Sequence, residues 1–182
     1  MIFVSLDVKT ANSDSSSICE IGIGIFEDDN LVDTLRHYID PETSFDSFYT
    51  ENVHGITPEM VSGFYSFDDV DDEIRELLVN KIVVHPSERV RKGFTKAIDN
   101  YNLKPYPIFW LDSEIVAQIT WETFSEEPCR LREVASTLSI EFGYPDALNC
   151  AIVAGKIVIE ACKKSGIGVS ELLDRVRKAR IK

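Results

Sequence analysis

The chain has 182 residues, 44% of them hydrophobic and 10% aromatic, and a formal net charge of -12 at pH 7. That length and apolar content suit one domain with a substantial core, and the acidity argues against a tight, sequence-blind nucleic-acid binder, which gains affinity by neutralising phosphates, but not against a nuclease with a local cationic path. No apolar run is long enough to cross a bilayer and no basic stretch opens the chain as in a signal peptide, so a cytoplasmic protein without membrane contact is expected. Cys19, Cys129, Cys150 and Cys162 form no Cys-x-x-Cys pair, so neither a zinc knuckle nor a redox motif is indicated, and reduced thiols are expected.

Residues 2–8 read as a buried strand that ends on a carboxylate, Asp7. A polar loop follows at 13–17. Residues 18–26 alternate strictly, with Ile21, Ile23 and Ile25 on one face and Gly22 and Gly24 on the other, where something packs closely. Asp28, Asp29 and Asn30 turn the chain into a third strand at 31–39, giving an antiparallel start. Val70, Ile74, Leu77 and Leu78 have helical spacing, and 82–84 is a short strand. Val90, Phe94, Ala97, Ile98 and Tyr101 make a second helical stripe, and 108–111 is a strand after Pro105 and Pro107. Leu131, Val134, Ala135 and Leu138 mark another helix. Asp146 is an N-cap for a long helix through Ala151, Ala154, Val158 and Ala161; Ser170 is expected to cap a last, basic helix after Gly166 and Gly168. An antiparallel meander followed by helix-strand crossovers predicts one mixed α/β sheet with helices on both faces. Residues 1–165 form the expected domain, and 166–182 a short C-terminal helix packed on it or extending it.

Several segments carry a more specific pattern. The stretch Ser5-Leu6-Asp7-Val8-Lys9-Thr10 sets a carboxylate on an apolar strand, and Ser17-Ile18-Cys19-Glu20-Ile21-Gly22 follows. His54-Gly55-Ile56-Thr57, Val83-Val84-His85, Leu111-Asp112-Ser113 and Asp146-Ala147-Leu148 come in order after them. Taken together, over residues 2–164, these segments resemble the motifs of the DEDDh 3′→5′ exonucleases, the family of epsilon-type proofreading exonucleases. The resemblance implies a ribonuclease H-like fold with a five-stranded sheet, three strands antiparallel and the rest parallel. It also implies a chemistry. Two divalent metals, Mg or Mn, bridge the scissile phosphate, four carboxylates hold them, and a histidine takes a proton from water.

Carried over residue by residue, that chemistry is mostly missing. Asp7 matches the first carboxylate, but Lys9 stands where glutamate belongs, Val90 where the second motif has its aspartate, and Pro145 and Cys150 where the third has histidine and aspartate. Asp7 and Lys9, two apart on a strand, face the same side and can pair. An ammonium at a metal position repels a divalent cation by several kcal/mol at ~4 Å and an effective dielectric of ~20. No metal is therefore expected; if one is held, the ligands are Asp7, Glu88 and Asp146. Glu88 and Asp146 also have plain structural readings, in the first turn and at the cap of their helices.

The expected function is that of a degenerate exonuclease-like protein, kept for binding nucleic acid or a protein partner. His54, Gly55, Ile56 and Thr57, with Arg89 and Lys92, are the candidate contacts to a single-stranded DNA or RNA 3′ end. Lys96 shares the helical face of Arg89 and Lys92, and Arg175, Arg177, Lys178, Arg180 and Lys182 make a basic tail. Two alternatives stand beside it: an active metal-dependent 3′→5′ exonuclease with a rearranged site, and a structural or regulatory subunit with no nucleic-acid role, which suits the sequence pI of about 4.7.

Overall fold

The run Ile2–Thr10 forms β1, buried along most of its length at the centre of a five-stranded sheet. In the computed structural model, which describes residues 2–125 and 129–179, β1 pairs antiparallel with β2 (Ile18–Glu27), and β2 pairs antiparallel with β3 (Asn30–Tyr38). On its other side β1 runs parallel to β4 (Ile82–His85), and β4 parallel to β5 (Phe109–Asp112), for the order β3-β2-β1-β4-β5. This is the mixed sheet that the sequence patterning predicts.

Helices fill the crossovers. A short α1 (Ser47–Tyr49) runs into a single π-helical turn, Thr50–His54, and then α2 (Pro58–Val61) and α3 (Asp71–Leu78) lead to β4. Helix α4 (Glu88–Asn100) connects β4 to β5, followed by α5 (Ser113–Thr120), α6 (Leu131–Thr137), α7 (Ala147–Ser165) and α8 (Val169–Ala179). Helix α5 has no strong periodic signal in the sequence. It starts because Asp112 Oδ1 accepts from the backbone N–H of Glu114 and Ile115, at 3.0 and 3.4 Å.

The two faces of the sheet carry separate cores. Leu6, Val8, Ile21, Ile23 and Val83 pack with Ile74 and Leu78 of α3 and Val90, Phe94 and Ala97 of α4. Phe3, Phe26, Val84 and Leu111 pack with Ala154 and Val158 of α7 and Leu172, Leu173 and Val176 of α8. Each fully buried apolar side chain of this size contributes about 1.5–3 kcal/mol. The last helix thus belongs to the same core as the central strands. Ser170 does not cap it: the first turn closes one residue pair earlier, with Leu172 N donating to Gly168 O at 3.0 Å, so Ser170 lies inside α8. Arg180 and Lys182 of the basic tail lie outside the described residues.

Helix α7 is seated on β2 through Gly22. A Cβ there would meet Leu148 N at 2.2 Å and the Ala147 carbonyl carbon at 2.4 Å. The close approach inferred from the Gly22 side of the strand is therefore the N-terminus of α7. That contact places the first turn of α7 over the faces of β1 and β2 that carry Asp7, Lys9 and Glu20.

Candidate functional site

Asp7 and Lys9 lie opposite Gly22 and Glu20 in the β1–β2 register and face α7. Asp7 is 4% exposed, and Lys9 Nζ donates to its Oδ2 at 2.6 Å. Lys9 Nζ also lies 3.3 Å from Cys150 Sγ, one turn into α7. Burial works against the Lys9 ammonium, but the Asp7 charge and the Cys150 sulfur outweigh it and hold its pKa above the ordinary lysine value. The Cys150 thiol is pushed up to about 12 by burial and by Asp7, with Lys9 pulling the other way. At neutral pH it is a protonated thiol, neither a thiolate ligand nor a nucleophile. Val90, 6% exposed, packs in the α4 core, and half-buried Pro145 precedes the α7 cap.

Beside this pair opens a cleft of about 240 Å³, lined by Asp7, Lys9, Thr10, His54, Ser87, Arg89, Val90 and Cys150 among others. His54 has no ring nitrogen to spare for catalysis. Its Nδ1 accepts from Ile56 N at 3.0 Å, so the proton is on Nε2, which donates to Thr10 O at 3.0 Å. Burial holds its pKa below the ordinary histidine value, and the nearby Lys9 charge adds to that. The ring clamps its loop to the end of β1, and Gly55 supplies the left-handed turn after it at φ 73°. Ile56 is buried with Ala11, Cys19 and Val61. Arg89 stands at the cleft's edge, its guanidinium donating to Tyr49 Oη at 3.1 Å and lying 5.5 Å from that ring's centre.

Of the candidate contacts, His54 and Arg89 line the cleft; Gly55, Ile56, Thr57 and Lys92 do not. The basic face of α4 is split by its partners: Lys96 pairs with Asp14 at 2.9 Å, and Lys92 is exposed. The acidic residues go different ways as well. Asp146 caps α7, accepting from Asn149 N at 2.7 Å, and lies 3.6 Å from Arg36. Glu88 joins His85 and Asp112, their ligand atoms all within 4.8 Å of one another. Among the described residues that is the one such group, so Asp7, Glu88 and Asp146 do not gather into a metal site.

The sequence reading left Glu20 without a role. It is fully buried, accepts from Ala147 N at 3.0 Å at the start of α7, and pairs with Arg36 of β3. Burial raises its pKa, against the pull of the Ala147 N–H and Arg36. It ties β2, β3 and α7 together beside the site; a lone carboxylate inside an alternating apolar strand was its signal.

No protein-family model matches the chain, and no curated protein matches its sequence. Solved structures match its architecture. Exonuclease X in complex with 5′-overhanging duplex DNA superposes with a TM-score of 0.76 at 17% identity, over 96% of this chain and 99% of that one. The chain has an exonuclease fold. A 3′-exonuclease that recognises the histone mRNA stem-loop aligns at TM-score 0.70 and 16% identity, over 91% of this chain and 64% of its own. Exonuclease I aligns at 0.76 and 14% identity over 96% of this chain, which spans 42% of exonuclease I.

The motif resemblance of the sequence implies divalent metals at the Asp7 position. The residues there do not fit them: an ammonium already engages Asp7 Oδ2, the neighbouring Cys150 is a protonated thiol, Val90 is apolar, and His54 is spent on backbone groups. Hard cations need several oxygen ligands with net negative charge; a paired aspartate and lysine supply neither.

Proposed function

We propose that this protein is a non-hydrolysing member of the exonuclease fold that holds the 3′ end of single-stranded DNA or RNA in the cleft beside β1. The observation that carries the reading is the Lys9–Asp7 contact at 2.6 Å, which puts a fixed ammonium where metal-dependent hydrolysis requires a cation bound by carboxylates. Charge follows from it. Among the described residues, Asp7, Lys9 and Arg89 are the charged groups lining the cleft, one negative against two positive, which favours phosphate there without a metal.

The neighbours' ligands suit this reading: one solved relative is a complex with overhanging DNA and another recognises an RNA 3′ end. Exposed aromatic groups border the same region, with Tyr144 donating to His54 O at 3.0 Å and Phe48 packed edge-on to Tyr49. Such rings stack on bases without regard to sequence.

The test is a nuclease assay on 3′-labelled single-stranded DNA and RNA with Mg2+ or Mn2+. The expected result is an intact label at enzyme-to-substrate ratios near one. Release of 3′ nucleotides that is lost in Asp7→Ala would establish the active-exonuclease alternative instead.

A further inference from the structure

We propose that His85, Glu88 and Asp112 form a binding site for a first-row divalent cation of the zinc type, separate from the Asp7 position and on the opposite face of the sheet. The geometry comes from strand register. His85 ends β4 and Asp112 ends β5, and the two are direct partners in the parallel ladder, so their side chains leave the sheet side by side. Glu88 opens α4 three residues after His85 and turns back over that edge. One imidazole nitrogen and two carboxylate oxygens result, all within 4.8 Å of one another.

Two features beyond proximity favour an ion. First, His85 Nδ1 lies 2.8 Å from Ser87 O, a group that only accepts, so Nδ1 carries a proton, and in the neutral ring the lone pair is on Nε2. A backbone carbonyl that fixes the tautomer in this way is the usual support of a metal-binding histidine. Second, Asp112 is held by its α5 cap through Oδ1, which orients the carboxylate. Three protein ligands with a nitrogen among them suit Zn2+ with a solvent-filled fourth position, and suit Mg2+ poorly.

The site faces α4, since His85 stacks edge-on against Trp110 at 5.5 Å and Trp110 packs on Phe94. Lys9 and Asp7 face α7. The competitor is also visible. Arg91, one turn along α4, pairs with Glu88 through Nε and Nη2, and its pKa is raised, first by Glu88 and also by Asp112. Arg91 is 36% exposed and Glu88 35%, so the guanidinium can swing to solvent when the ion enters.

The experiment is Zn2+ binding to the full chain, by competition with a chromophoric chelator, together with long-range 1H–15N spectra of the histidine rings. Expected are one site per chain and a Zn2+-induced shift of His85 Nε2 with Nδ1–H retained. Affinity should fall about tenfold or more in Glu88→Gln and His85→Gln, and rise several-fold in Arg91→Gln, which removes the competing cation. Glu88 and Arg91 are half-exposed, so those two variants decide the matter if the buried His85 variant does not fold. Wild-type affinity in Glu88→Gln and Arg91→Gln, or a Zn2+ shift at His37 or His54 with none at His85, would overturn the site. Neither result bears on oligonucleotide binding at the Asp7 cleft, which is measured in chelator.

Discussion

Lys9→Met removes the ammonium 2.6 Å from Asp7 Oδ2 and keeps most of the apolar stem. At that distance two unit charges attract by about 6 kcal/mol at an effective dielectric of about 20. Burying both ions costs several kcal/mol each, so the intact pair contributes little net stability; removing one partner leaves the other buried and uncompensated, at a cost of about 3–5 kcal/mol. For a chain of this length that is a fall of roughly 6–20 °C in melting temperature. Asp7→Asn combined with Lys9→Met removes both charges and should recover most of the loss. Urea unfolding of the parent, both single variants and the double variant gives the coupling energy directly. A Lys9→Met protein within about 1 kcal/mol of the parent, or single losses that simply add in the double variant, would show that Lys9 does not neutralise the site.

Gly22→Ala is expected to destabilise at or beyond the upper end of the about 1–3 kcal/mol typical of overpacking, because its Cβ would lie 2.2 Å from the Leu148 backbone nitrogen; unchanged urea stability would mean that α7 does not seat there. His54 makes stability fall on acidification. Its folded-state pKa lies below the ordinary 6.5, so the unfolded chain takes the proton first as pH drops through that value. The loss is about 1.4 kcal/mol for each unit of separation. In His54→Gln this part of the melting-temperature profile should flatten; parallel profiles would refute the assignment. Arg89→Ala should weaken oligonucleotide binding several-fold and reduce the salt slope by about one; an unchanged slope would take Arg89 out of the interface.

Much of the fold was legible because its signals are local. Strict alternation at 18–26 marked β2, its glycines marked the face that receives α7, and Asp146 marked that helix's start. The Lys9–Asp7 pair was legible for the same reason, since residues two apart on a strand share a face. What escaped depends on register between distant segments. The contact of Lys9 with Cys150 spans 141 positions, and the meeting of His85 with Asp112 depends on how β4 and β5 align. His54 read as a substrate contact because its motif invites that; only the loop geometry shows both ring nitrogens bonded to the backbone. Ser170 looked like a cap because it follows two glycines, yet the Gly168 carbonyl already opens the helix.

The most direct test of a cleft that works without metal is fluorescence anisotropy of a 3′-labelled single-stranded oligonucleotide, titrated with the protein in excess EDTA and again in Mn2+. The expected result is saturable binding of equal affinity in both buffers, weakened by salt and by Lys9→Met, with the label intact at the end of each titration. Binding that appears only with Mn2+, or loss of the label in its presence, would contradict it.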